Sequence, residues 1–367
     1  MLPPRHQTEA AGNLQGMVMN ISRARRIPTQ TRQISPQTKI TDCQWDGWSD
    51  KTKLCVKWSD GHKSVYPQSL FIKKGSPDTH AAQQGLTDIR LFDRSIAEKP
   101  PTVDHADLTS EKGMAAWTSQ IRTHGFCYIK NCPVSPEATQ ELVERIGPIR
   151  HTHYGGFWDF TSDLSSKDTA YTTLALEAHT DTTYFSEPAG LQLFHLLSHT
   201  SGSGGASLLV DGFAAAFELY MTDKRSYEIL STVGVYSHAS GNEDVSVQPY
   251  TSFPVLVHDP YHGHLVQVRW NNADRAGIEL PLGEVDVWYE AAAKFDAILN
   301  KPEYQYWEQL RPGTPLIFDN WRVLHGRSSF NGKRRLCGAY VNRDDFISKY
   351  KLTNLGRDEV LATTVTG

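Results

Sequence analysis

Polar and apolar residues alternate in two short runs near the start of the chain. Lys53-Leu54-Cys55-Val56-Lys57-Trp58 puts an apolar residue at every second position, and Lys63-Ser64-Val65-Tyr66 resumes the alternation after Ser59-Asp60-Gly61. Side chains on a strand point to alternate faces, so these runs predict half-buried strands, and the Asp-Gly between them predicts a hairpin. Farther on, the period lengthens. Residues 110–123 predict a helix ended by Gly125, followed by a strand at Phe126-Cys127-Tyr128-Ile129. Ser135-Pro136-Glu137 predicts a helix start with Pro at the first helical position, and that helix runs to Ile146 before Gly147-Pro148. Short strands are expected at residues 206–210, 254–257, 265–270, 314–318 and 336–341. Val285, Trp288, Ala292, Phe295 and Leu299 recur at helical spacing, which predicts a core-facing helix over residues 284–299. Many short strands with few helices predict a sandwich or jelly roll.

Composition narrows the class. The 367 residues carry a net charge of −4 and 21% charged residues, with no basic excess to favour nucleic acid. No apolar run is long enough for a membrane span. The cysteines, Cys43, Cys55, Cys127, Cys132 and Cys337, are odd in number and scattered, as free thiols in a reducing compartment would be. Residues 1–39 hold Arg5, Arg23, Arg25, Arg26, Arg32 and Lys39 against the single acid Glu9. Such a start reads either as a disordered tail, which its prolines favour, or as a mitochondrial presequence. The expected compartment is the cytoplasm, with the mitochondrial matrix as the alternative.

The candidate chemistry lies in two segments. Glu177-Ala178-His179-Thr180-Asp181 offers an imidazole and a carboxylate two residues apart, which on a strand would share one face. Trp321-Arg322-Val323-Leu324-His325-Gly326-Arg327 offers a second imidazole, and Arg334 follows nine residues later. Two His and one carboxylate can hold one face of an octahedral Fe(II) and leave three cis positions open. A His-x-Asp by itself is weak: His105-Ala106-Asp107 is a second instance, and its polar surroundings after Pro100-Pro101 make it a decoy.

Taken with Asp168-Thr169-Ala170-Tyr171, His179-Thr180-Asp181-Thr182-Thr183-Tyr184-Phe185, Leu209-Val210-Asp211-Gly212-Phe213, Arg269-Trp270-Asn271-Asn272 and Phe318-Asp319-Asn320-Trp321, these segments resemble the iron(II)/2-oxoglutarate-dependent oxygenases. The similarity is to the branch of γ-butyrobetaine and trimethyllysine hydroxylases, nearer the latter, over roughly residues 40–350. The resemblance implies a mainly β fold with flanking α-helices: a double-stranded β-helix (jelly-roll) catalytic core plus a small N-terminal β domain. The expected organisation is a tail or presequence at 1–38, the small β domain at 39–75, a linker at 76–103, the oxygenase domain at 104–352 and a C-terminal tail at 353–367.

The same resemblance implies roles. His179, Asp181 and His325 would ligate Fe(II), and Arg334, with Arg327 nearby, would hold the 2-oxoglutarate carboxylate. Arg335 competes for that role, but neighbours on a strand face opposite ways. Tyr154, Trp158, Tyr171 and Tyr340 match an aromatic cage for a quaternary ammonium, although each taken alone reads more readily as core. A trimethylammonium group donates no hydrogen bond, whereas aromatic faces attract its charge by about 0.5–2 kcal/mol. Asp168, with Asn271, would read the other substrate end; Asp168 alone reads as a turn residue. An Asp pairs with an α-ammonium and repels a carboxylate, which favours trimethyllysine. The implied reaction is C3 hydroxylation of N6-trimethyllysine in carnitine biosynthesis, with O2 as oxidant, 2-oxoglutarate converted to succinate and CO2, and ascorbate as reductant. The alternatives are γ-butyrobetaine or another trimethylated amino acid as substrate, or a ligand-binding protein without turnover. A homodimer is expected, without nucleic acid or membrane. Relatives often carry a zinc site of three Cys and one His in the small domain. His62 matches the histidine, but Cys43 and Cys55 cannot complete four ligands, so no structural zinc is expected.

Overall fold

The alternating runs form a small antiparallel sheet: β1 (Ile40–Trp45), β2 (Lys53–Trp58) and β3 (Lys63–Pro67), paired in that order. Leu54, Val56 and Trp58 are buried while Lys53, Cys55 and Lys57 face out, as the period of two requires. Gly61 turns the hairpin at φ 83°, a left-handed conformation that glycine adopts without a Cβ clash. The structure is a computed structural model, which describes residues 37–46, 53–67, 89–162, 173–241, 244–260, 263–278, 280–357 and 360. The chain divides into two units, Met1–Leu86 with Leu355–Gly367, and Thr87–Asn354.

The larger unit opens with β4 (Thr102–Asp104), α1 (Glu111–His124), β5 (Phe126–Lys130), α2 (Pro136–Glu144), β6 (Trp158–Ser162), β7 (Leu176–His179), β8 (Leu191–Thr200) and β9 (Ser207–Asp211). It continues with α3 (Gly212–Thr222), α4 (Lys224–Thr232), β10 (Val235–Ser237), β11 (Leu256–His258), β12 (Leu265–Val268), β13 (Arg275–Ile278) and α5 (Val285–Leu299). It closes with β14 (Tyr306–Glu308), β15 (Leu316–Asp319), β16 (Val323–Arg327), β17 (Lys333–Val341) and α6 (Arg343–Asn354). The helix ends follow the expected chemistry: the Ser110 and Ser135 side chains cap α1 and α2, and Gly125 ends α1 with φ 84°.

Two sheets face each other. One has the order β4-β5-β15-β8-β17-β6, the other β14-β9-β16-β7. On β9, Leu209 joins the core between the sheets, with Phe318, Leu336 and Val323, while Leu208 and Val210 face outward onto α3, α4 and α5. On β16 the same alternation sends Leu324 to the helices and Val323 inward. His325 and Arg327 therefore share the inner face with Val323. The stripe of Trp288, Ala292, Phe295 and Leu299 on α5 packs into the helix-side core. Two facing sheets, one of them covered by helices, make this a jelly-roll core.

The expected linker does not extend to residue 103. Phe92 is buried in the inter-sheet core, Arg94–Glu98 forms a 3-10 helix, and β4 pairs in parallel with β5. The polar, proline-containing sequence concealed these contacts, because one aromatic anchor and three extended residues after Pro100-Pro101 leave no periodic pattern. Similarly, α6 continues to Asn354, whose side-chain amide donates to Thr118 of α1 at 2.8 Å. Among the described residues no helix is long and apolar enough to cross a membrane.

Candidate active site

β16 pairs with β7 so that His325 lies opposite His179. Their rings are 4.3 Å apart between centroids. Asp181 completes the group: its Oδ1 is 3.2 Å from His179 Nε2 and 3.7 Å from His325 Nε2. Among the described residues these three form the one cluster whose ligand atoms, all within 4.8 Å of one another, suit a metal ion. The decoy His105 and Asp107 lie apart from it, in a 3-10 helix beyond β4.

The strand argument for His179 and Asp181 needs correcting. β7 ends at His179, and Asp181 already lies in a turn. Side-chain brackets, rather than continued alternation, place the carboxylate. The Asp181 N–H donates to Asn320 Oδ1 at 2.8 Å, and Asn320 Nδ2 donates to the Asp181 and Ala189 carbonyls. Thr180 points away and accepts the Trp270 N–H at 2.9 Å. Arg269 grips the following turn, donating to the Thr183, Phe185 and Ser186 carbonyls.

The donor atoms are prepared for a cation. His179 Nδ1–H donates to the Glu177 carbonyl at 2.8 Å, which directs Nε2 toward Asp181. Burial opposes a charge on His179, but its hydrogen bond with Asp181 and that carboxylate's charge lift its pKa above the ordinary value. Burial also works against the Asp181 carboxylate; His325 and His179 nevertheless hold it well below the usual range. His325 is pushed down to about 3, by burial first and by His179 second, so its imidazole is neutral near pH 7. A divalent metal would be held by His179, Asp181 and His325 together.

The cluster forms part of the wall of a cavity of about 380 Å3, within the range typical of small-molecule sites. On β17, Arg334, Leu336 and Tyr340 fall on the lining face, and Arg335 faces out to Asp159 at 2.9 Å. Arg334 is 1% exposed, yet its Nε and Nη1 have no hydrogen-bond partner among the described residues. Burial, and then Arg327, lowers its pKa to about 10, still far above neutrality. Arg334 and Arg327 lie over the Phe330 ring at 4.9 and 4.8 Å. A buried guanidinium with unused donors fits a bound carboxylate.

Tyr154, Trp158 and Tyr340 line the same cavity. Trp158 meets Tyr340 edge-on at 6.4 Å, and its ring lies over Gly338, where any Cβ would collide with it. Asn271 also lines the cavity, with its amide donating to Asp274 at 2.7 Å. Asp168 and Tyr171 lie outside the described residues. Gln192, Tyr184 and Phe194 are among the lining residues that the sequence reading assigned no role. Gln192 carried a usable signal, as the lone amide in the buried run Leu191-Gln192-Leu193-Phe194. Tyr184 and Phe194 read as ordinary core.

A family model described as taurine catabolism dioxygenase TauD, TfdA family, matches residues 89–340. Trimethyllysine dioxygenase of Neurospora crassa is 47% identical over 350 residues, covering 85% of this chain and 73% of that protein. The chain belongs to this dioxygenase family. A second family member, trimethyllysine dioxygenase of Meyerozyma guilliermondii, is 49% identical over 330 residues, with 85% and 82% coverage. The mouse member, named trimethyllysine dioxygenase, mitochondrial, is 39% identical with 83% and 73% coverage. Human gamma-butyrobetaine dioxygenase is 29% identical, with 83% and 80% coverage. The crystal structure of AAD-2 in complex with Mn(II) and N-oxalylglycine shares the family fold, with a TM-score of 0.51 at 14% identity, covering 65% of this chain and 93% of that one.

Proposed function

We propose that this dioxygenase hydroxylates N6,N6,N6-trimethyl-L-lysine at C3, with 2-oxoglutarate and O2 as co-substrates, in carnitine biosynthesis. The observation that carries the reading is one cavity in which His179, Asp181 and His325 converge while the buried Arg334, whose Nε and Nη1 have no hydrogen-bond partner among the described residues, faces the same space. The relatives' names supply the amine. Fe(II) held by His179 Nε2, Asp181 Oδ1 and His325 Nε2 would supply the redox chemistry that couples oxidation of 2-oxoglutarate to hydroxylation. The rest is placement by this chain. Arg334 pairs with the distal carboxylate of 2-oxoglutarate, and Arg327 adds positive charge beside it. Tyr154, Trp158 and Tyr340, with Tyr171, surround the trimethylammonium group. Asp168 and the Asn271 region take the amino-acid end, so that both substrate ends fix which carbon faces the metal.

Turnover of the two amines tests this reading. The purified chain, supplied with Fe(II), 2-oxoglutarate and ascorbate, is expected to form succinate and hydroxylated amine in step. Trimethyllysine is expected to give the higher kcat/KM than γ-butyrobetaine. Asp168→Asn is expected to lower trimethyllysine turnover and improve γ-butyrobetaine, because the carboxylate that pairs with the α-ammonium is gone. An unchanged preference would remove Asp168 from the site. A wild-type preference for γ-butyrobetaine would overturn the substrate. Ascorbate dependence and a homodimer complete the proposal; omission of ascorbate and sedimentation velocity test them. The compartment is the cytoplasm or, as the basic start of the chain and the mouse relative's name support, the mitochondrial matrix, which a fluorescent fusion with and without residues 1–38 distinguishes.

A further inference from the structure

The two oxygens of the Asp181 carboxylate have different surroundings. Oδ1 faces the imidazoles of His179 and His325. Oδ2 accepts two hydrogen bonds, from Gln192 Nε2 at 2.7 Å and from the Tyr340 hydroxyl at 2.6 Å. Gln192 is 2% exposed and sits on β8; Tyr340 is 5% exposed and sits on the neighbouring β17, directly opposite it in the ladder. The Tyr340 hydroxyl donates to a carboxylate oxygen that can only accept. The backbone of Asp181 is fixed independently by Asn320. The carboxylate is thus held at both ends, with one oxygen already used.

We infer that Gln192 and Tyr340 are positioning residues that confine Asp181 to a single metal-ligating oxygen and so keep three coordination places open. This rests on the metal reading above. An octahedral ion held by three protein atoms has three places left. A second carboxylate oxygen would take one of them, at the expense of the 2-oxo acid or O2. Carboxylates bind cations through one oxygen or both, so the choice must be imposed from outside the group. Two short hydrogen bonds to Oδ2, made inside a buried strand pair, impose it. Tyr340 accordingly has a second task besides presenting its ring to the cavity.

The test uses the full chain loaded with Mn(II), with coordinated waters counted by line broadening of the Mn(II) resonance in 17O-water. Wild type is expected to show three waters. Gln192→Met/Tyr340→Phe, which keeps volume but removes both donors, is expected to show two. Its affinity for 2-oxoglutarate should weaken on the order of tenfold, because the second carboxylate oxygen competes for a place the 2-oxo acid needs, while Mn(II) affinity is held or increased. A merely structural role would lower the melting temperature and Mn(II) affinity and leave three waters. Three waters and unchanged 2-oxoglutarate affinity in the double variant would overturn the proposal. If the double variant fails to fold, Gln192→Met alone carries the same measurement, with the same two outcomes. Mn(II) binding that survives in His325→Ala would instead defeat the metal reading itself, and the positioning role with it.

Discussion

Arg334 and Arg335 are neighbours with opposite fates. β17 sends Arg334 into the cavity, where two of its nitrogens lack hydrogen-bond partners among the described residues, and Arg335 outward to Asp159. The alternation was readable from the sequence, and the resemblance to the oxygenase family assigned Arg334, rather than Arg335, to the carboxylate. Losing a charged hydrogen-bonding partner costs about 1.5–3 kcal/mol. Arg334→Ala should therefore raise the 2-oxoglutarate KM on the order of ten- to a hundredfold, and Arg335→Ala should leave it near wild type. Saturation curves for the co-substrate in the two variants decide the matter; the reverse order would mean the faces are assigned wrongly. Asn320 and Gln192 were harder to see. Asn320 stands in a quoted motif without a visible task, because its partners Asp181 and Ala189 are more than a hundred residues away in the chain.

At the scale of elements, a buried ion pair ties the segments that carry the triad. Arg322, just before β16, meets Asp211 at the end of β9 through Nε–Oδ1 at 3.1 Å and Nη2–Oδ2 at 2.7 Å. The same guanidinium donates to the Thr123 and Arg90 carbonyls, while Asp211 caps α3 and accepts the Phe92 N–H. Four segments thus meet on two side chains, and Arg322 stands three residues before His325. Removing one member of such a pair leaves a buried charge without compensation. Asp211→Ala should lower unfolding free energy by about 3–5 kcal/mol, and Asp211→Leu/Arg322→Met should recover a large part of that loss. Urea unfolding of the three proteins measures it; a cost below about 1 kcal/mol for Asp211→Ala would show that the pair does not tie these segments.

For the molecule as a whole, binding at the triad should appear as global stability, because the unfolded chain cannot assemble the site. Mn(II) with 2-oxoglutarate at a hundred times the dissociation constant should add about 2.7 kcal/mol. For a unit of this size that raises the melting temperature by about 5–10 °C. His325→Ala should show no such shift; a full shift there would place binding elsewhere. The sequence by itself determined the strand and helix classes, the small hairpin unit, the triad's residue types and that Arg334 and Arg335 face opposite ways. Each of these follows from local periodicity, or from a motif in which the residues that do the chemistry are close in sequence. Only the tertiary structure decided that Phe92 and β4 belong to the catalytic unit, that Asp181 is held by Asn320, and that Gln192 and Tyr340 occupy its second oxygen. Those are pairings across distant strands. A residue's type tells which bonds it can make, and only the folded register tells which group stands within reach.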